Sequence, residues 1–255
     1  MKTIVKSFFL RVWFPFLIIV LWQMLLQNST NPYFPAPSEI FTSARSTLTW
    51  DWVSTSLKSS LTTLLGGYFI GAILGILLGA VIGSQEFLRA VFTPITNFIR
   101  SIPAVAKVPV IMALLGIGTA SRICSVSVAV LFPVLMVTLR AVATTDEQLL
   151  DNARLMGYGT YRTIFSVRLP AATGQILAGL QAAVQVALFI MVISEMLGSG
   201  IGLGAFVIHS QQTFMIEDMW TGILILGALG LFLNEAFLIL ERRIAPWYFK
   251  SKEIR

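Results

Sequence analysis

Charge is the scarcest commodity in this chain. Only 12% of its 255 residues are Asp, Glu, Lys or Arg, about half the roughly 25% that soluble domains carry. That is too little to face water all round, so a wholly water-exposed protein is excluded and a polytopic membrane protein is expected. Cysteine is limited to Cys124, in an apolar segment, which excludes an internal disulfide and argues against thiol redox chemistry. Histidine is limited to His209, with no His or Cys at ligand spacing, so a metal centre is not expected and a loop or packing role is. No G-x-x-x-x-G-K-[ST] phosphate loop occurs, so the chain cannot bind and spend ATP alone by that route. No serine or cysteine nucleophile with histidine support is present either, and no catalytic residue is expected.

What is present is a set of long apolar runs. A spanning helix needs about 20 mostly apolar residues, and six segments qualify: Phe8–Gln27, Leu61–Gly83, Ile95–Leu115, Ile123–Leu139, Ile176–Met196 and Trp220–Leu240. The fold class expected is all-α, with about six transmembrane helices in one domain over 1–255. The third run is interrupted by Arg100, Pro103, Lys107 and Pro109; broken helices need cover from protein or an aqueous cavity, so this span is expected to be interior or bent. The first run follows Lys2, Lys6 and Arg11, but no small-x-small cleavage pattern follows it, so it reads as an uncleaved span. The segment 38–60 after the proline-rich NPYFPAP is expected to be an interfacial helix.

Six spans place both termini on the same side. Setting that side in the cytoplasm gathers most Lys and Arg there and leaves Arg45, Lys58 and Arg122 outside, with Lys107 ambiguous. Such asymmetry is the positive-inside rule. The net charge of +6 is therefore topology and not a nucleic-acid footprint. The six tryptophans all lie near span ends, as interfacial indoles should.

Polar groups inside the apolar runs are candidates for a solute pathway. Arg100 and Lys107 suit attraction of an anion; Gln181, Gln185, Ser194 and Glu195 lie along the fifth span. Each has an alternative role, snorkelling for the cations and interhelical bonding or interfacial pairing for the rest. The second span repeats glycine at 67, 71, 75, 79 and 83, which stacks them on one face for close helix approach. The run GSGIGLG from Gly198 has the look of a dinucleotide fingerprint, but it follows a membrane helix and reads as an outer turn or re-entrant bend.

Between the fourth and fifth spans lies DNARLMGYGTYRTIFSVRLPAA, Asp151 to Ala172. By the topology it is cytoplasmic. Asp146 and Glu147 favour the start of a helix, Gly157 its end, and Tyr161, Ile164 and Phe165 are spaced to share a face of a second short helix. Pro170 stands where the next helix can begin. The segment from about 143 to 170 is thus a helix-turn-helix offering an apolar ridge to a soluble partner.

Its spacing resembles the cytoplasmic signature of bacterial ABC importer permeases: Glu-Ala-Ala, three residues, Gly, nine residues, then Ile-x-Leu-Pro. Here Asp151-Asn152-Ala153 is followed by Gly157 and by Val167-Arg168-Leu169-Pro170. Asp151 and Val167 are mild changes from the pattern, and Asn152 is a departure. SIPAVAKVP, FPVLMVTLRAV, SEMLGSGIGLG, FPAPSEIF and LERRIAPW also resemble segments of one subgroup, that of nitrate, sulfonate, taurine, bicarbonate and some vitamin-precursor importers.

The resemblance implies a type I importer permease fold in the bacterial inner membrane. It implies a second permease subunit, in a homodimer, and two ATP-binding subunits that hold ATP and Mg and dock on Asp151, Ala153, Gly157, Tyr161, Ile164, Phe165, Leu169 and Pro170. It further implies an extracytoplasmic solute-binding protein and a small anionic solute. Two rival classes stay open on the residues alone. A self-sufficient channel or secondary transporter would need midplane ion sites and repeats, and leaves the docking element unused. A non-transporting membrane assembly subunit would use the docking surface without a pathway.

Overall fold

Prolines and caps divide the chain before hydrophobicity does. The computed structural model describes residues 2–28, 31–198 and 200–246, with side chains from Trp13 onward; the side chains of Lys2, Lys6 and Arg11, and residues Trp247, Lys250, Lys252 and Arg255, lie outside the described set. Helix α1 is Lys2–Leu26. After it, Pro37 opens α2 (Pro37–Thr47) at a position where no N–H is required. Trp22 Nε1 donates to Pro35 O at 3.1 Å and Trp220 Nε1 to Tyr33 O at 3.2 Å, with the two indoles edge to face at 5.3 Å. These contacts tie the end of α1 and the proline loop to the last helix.

One interfacial helix over 38–60 is not what forms. The chain breaks at Leu48–Thr49, and the Thr49 side chain accepts from Trp52 N at 3.3 Å, capping a new helix, α3 (Trp50–Ser84). Its 35 residues extend about 52 Å at 1.5 Å each, well beyond a hydrocarbon core of about 30 Å. The expected third span is also corrected. It is divided between α4 (Glu86–Ser101) and α5 (Ala104–Leu115), which meet at 91°. Pro103 causes the break, because the residue before a proline is driven out of the helical region, and Ile102 is extended at φ −76, ψ 122.

The remaining helices are α6 (Thr119–Ala143), α7 (Glu147–Leu155), α8 (Thr160–Thr163), α9 (Leu169–Gly198), α10 (Leu203–Gln212) and α11 (Ile216–Ile244). All regular structure among the described residues is helical. Four helical runs are long and apolar enough to cross a membrane: α3, α6, the run from α8 through α9, and α11. The bent α4–α5 pair makes a fifth as a broken span, and α1 adds an apolar stretch over Trp13–Leu26.

The core forms where α3, α6 and α9 meet, around Leu64, Val126, Val130, Val134, Ala187 and Ile190. The glycine face of α3 makes this possible within one chain. A Cβ on Gly75 would stand 2.9 Å from Leu131 O and 2.9 Å from Val134 Cβ; one on Gly79 would stand 2.6 Å from Leu135 O. Gly67, Gly71 and Gly83 meet the carbonyls of Ile123, Ser127 and Leu139 in the same way. Five glycines four apart thus face five α6 carbonyls four apart. The stripe is an internal seam, and it holds the two helices in one register.

Candidate functional site

The polar corner between α6 and α9 is assembled by three local devices. Asp146 caps α7, accepting from Gln148 N at 2.9 Å, where a carboxylate also suits the helix dipole. Gly157 ends α7 at φ +72: its N–H donates to Arg154 O at 2.9 Å, and Tyr158 N donates to Ala153 O at 3.0 Å. That pair of bonds is a Schellman motif, in which the left-handed residue is usually glycine. The third device is a π-helical turn, Ile164–Arg168, joining α8 to α9 without a break. Leu169 N bonds back to Ile164 O across it. Pro170 therefore sits inside a continuous helix instead of starting one. It has no N–H to give and its ring crowds the carbonyl four residues back, which the widened turn just ahead relieves.

The corner is fastened to the spans. Ile164 is only 2% exposed and packs with Ala80, Val142, Ala172 and Ile176, while Arg168 Nη1 donates to Val142 O at 3.2 Å. The expected shared face of Tyr161, Ile164 and Phe165 is accordingly split. Ile164 points inward as an anchor, and Tyr161 (79% exposed) and Phe165 point outward. Leu155 (86% exposed) and Met156 stand beside the glycine turn as further bare apolar side chains. Sequence reading missed these two; the signal was two apolar residues placed directly before a helix-stopping glycine. Asp151 pairs with Arg154 at 2.8 Å on the surface, a bond of small energetic weight. Ala153 is buried, Leu169 is half-buried and Pro170 is exposed. Arg162 lies over the Tyr158 ring at 4.0 Å and stiffens the turn. Between this corner and the end of α3 opens a polar cavity of about 450 Å³, lined by Ser84, Gln85, Arg154, Tyr158, Thr163 and Arg168 among others.

At the opposite end of the bundle a second polar cluster is fully enclosed. Glu195 is 1% exposed, and its Oε2 accepts from Ser60 Oγ and from Gly204 N, each at 2.9 Å. Ser60 Oγ in turn accepts from Leu203 N at 2.9 Å. Arg122 stands 3.7 Å from Glu195 Oε1 and donates to Ile201 O at 3.0 Å and Thr119 Oγ1 at 3.1 Å. Arg122 is thus no free outer charge but is buried in the protein. The glycine run bends tightly around the carboxylate, with Gly200 at φ +66 and Gly202 at φ +128. A Cβ on Gly202 would fall on the Glu195 carboxylate, so the run is a turn built to fit that group. One carboxylate holds α3, α6, α9 and α10 together.

The candidate pathway residues do not converge. Ser194 is buried and its hydroxyl bonds back to Met191 O at 2.8 Å; with Glu195 it is packed inside the protein. Gln181 donates to Asn234 of α11 at 3.3 Å, and Gln185 is exposed on α9. Arg100 is exposed at the end of α4, and Lys107, on the other side of the bend, places Nζ 5.3 Å from the Phe132 ring centroid. Among the described residues no group of His, Cys, Asp or Glu could hold a metal ion.

A candidate aliphatic sulfonates transport permease protein of Bacillus subtilis is 25% identical over 235 residues, 91% of this chain and 85% of that one. A probable ABC transporter permease protein of Haemophilus influenzae is 31% identical, covering 84% of this chain and 87% of its own length. A taurine transport system permease protein of Escherichia coli is 28% identical over 75% of this chain and 70% of its own; others are named for nitrate and bicarbonate. Among solved structures, a chain of the MetNI methionine ABC transporter in an inward facing conformation superposes with a TM-score of 0.67 at 19% identity, over 77% of this chain and 97% of that one. Residues 71–250 match one family throughout, a stretch that takes in most of the glycine seam, the polar corner and the buried carboxylate together, and on that match the chain belongs to the binding-protein-dependent transport system inner membrane components, the permease subunits of ABC importers.

Proposed function

We propose that this permease forms half of a solute pathway and is driven by ATP-binding subunits that dock on the corner from about 143 to 170. In this reading the corner and both termini face the cytoplasm. A second copy of the chain completes the pathway, two ATP-binding subunits supply ATP and Mg, and an extracytoplasmic binding protein delivers the solute. The observation that carries the docking role is the set of bare side chains Leu155, Met156, Tyr161 and Phe165 on a segment too polar for the bilayer. A partner in water would gain by covering them, since buried aromatic anchors dominate many interfaces. Gly157 fixes the turn, and Ile164 and Arg168 carry any displacement of the corner to α6 and α9. A small anion such as a sulfonate or nitrate is the solute class favoured, from the relatives' names and from Arg100 and Lys107 flanking the bend.

The test is copurification and uptake in vesicles with the cognate ATP-binding subunits and binding protein. Phe165→Ala and Tyr161→Ala should weaken ATPase retention while leaving insertion intact, and Ser38→Ala should leave both at wild-type levels. Normal retention and normal uptake in both aromatic variants would reduce the corner to a connector.

A further inference from the structure

The polar cavity of about 450 Å³ between the corner and the end of α3 is cationic, and the docking role makes no use of it. Arg154 of α7 and Arg168 of the π-helical turn both line it. Gln85, in the same wall, leads into α4, and Arg89 stands one turn on, its N–H bonded to Gln85 O at 3.0 Å. Arg89 and Arg154 both act on Arg168 as neighbouring positive charges. Three guanidinium groups from three elements therefore gather at one space. Among the described residues the ion pairs are Arg122–Glu195, at the far end of the bundle, and Arg154–Asp151, on the surface. Arg168 gives one N–H to Val142 O, a neutral partner. Arginine cannot shed its proton to relieve repulsion. Positive-inside placement explains arginines on this side of the membrane, but not their convergence on one cavity.

We propose that this cavity binds a phosphate group, supplied by a lipid headgroup or by free phosphate in solution. A guanidinium presents a planar fork of N–H donors that fits two oxygens of one phosphate. A tetrahedral anion can meet such forks from three directions, whereas a planar monoanion such as nitrate meets them in one plane only. Neutral donors extend the set, since the Gln85 amide and the Tyr158 hydroxyl line the same space. Tyr158 is itself held by Arg162, stacked on its ring at 4.0 Å. The bound anion bridges α4, α7 and the turn that leads into α9, and so clamps the corner against the end of α3. The site goes beyond the docking role and is independent of how the ATP-binding subunits bind.

Thermal unfolding of the intact purified permease in detergent, without ATP-binding subunits, tests this. The probes are inorganic phosphate, dioctanoyl phosphatidic acid and sodium nitrate, each read against sodium chloride at matched ionic strength to remove general screening. A phosphate probe should raise the midpoint along a saturating curve, and nitrate should match chloride. Saturation by inorganic phosphate assigns the site to the free ion; saturation by the lipid alone assigns it to a headgroup. Arg89→Gln and Arg154→Gln should each raise the half-saturating concentration about tenfold, the size of one charge-assisted hydrogen bond. Arg243→Gln, which removes the same charge from an exposed position on α11, should leave it unchanged. Midpoints that follow ionic strength alone for both phosphate probes overturn the proposal, as does unaltered saturation in Arg89→Gln and Arg154→Gln. So does tenfold tighter phosphate binding in Glu253→Gln, which would show that the chain fills the cavity with a carboxylate of its own.

Discussion

The glycine seam allows a prediction in which two positions of one helix serve as test and control. Gly66 and Gly75 both lie in α3, so replacing either by alanine brings the same change in backbone entropy, about 1 kcal/mol in favour of alanine in a soluble helix. Their surroundings differ. The added Cβ at Gly66 would meet only side-chain atoms of Ile123, the nearest at 3.5 Å, an ordinary contact. At Gly75 it would meet Leu131 O and Val134 Cβ, both at 2.9 Å. Neither can swing aside, because one is backbone and the other is the root of a buried side chain, so α6 itself must retreat. Overpacking of this kind costs about 1–3 kcal/mol, and the propensity term cancels in the difference between the two variants. Gly75→Ala should therefore be less stable than Gly66→Ala by about 1–3 kcal/mol, and Gly75→Leu should fail to assemble. Thermal unfolding of the purified variants in detergent, read by intrinsic fluorescence with size-exclusion profiles alongside, measures this. Equal midpoints for Gly66→Ala and Gly75→Ala would refute the claim that the stripe exists for helix approach.

Other expectations concern the two polar clusters and the topology. Glu195→Ala strips the counter-charge from buried Arg122 and should destabilise by about 3–5 kcal/mol; the double change with Arg122→Leu should recover part of the loss in the same unfolding assay. Gly157→Ala places a Cβ at φ +72 and should cost about 1 kcal/mol, while Gly157→Asp should also lower ATPase copurification without affecting membrane insertion. Ile164→Ala, unlike Phe165→Ala, should act mainly on stability, by about 2–5 kcal/mol, because Ile164 is enclosed and Phe165 is bare. Impermeant reagents should label a tag near Pro35 but not one at Gly159 in sealed cells, and labelling at Gly159 would reverse the proposed orientation.

Much of this protein is legible in its sequence because the bilayer restricts what a chain can do. A shortage of charge forces burial in lipid, lipid forces every backbone group into helices, and helices of spanning length are visible as apolar runs. The polar interruption at 151–170 is legible for the same reason, as is the turn at Gly157, whose left-handed conformation is a local property. What the sequence could not decide were matters of direction and partnership. Tyr161, Ile164 and Phe165 share a helical spacing, yet which of them faces the core depends on where α3, α6 and α9 stand. Glycines four apart announce a close neighbour without naming it, and only the packed structure makes that neighbour α6 of the same chain. Arg122 and Glu195 are 73 positions apart (195 − 122), and each alone reads as an interfacial charge. They become a buried pair only when the glycine turn folds back over the end of the bundle, because a charge leaves water on the condition that tertiary structure brings it a partner.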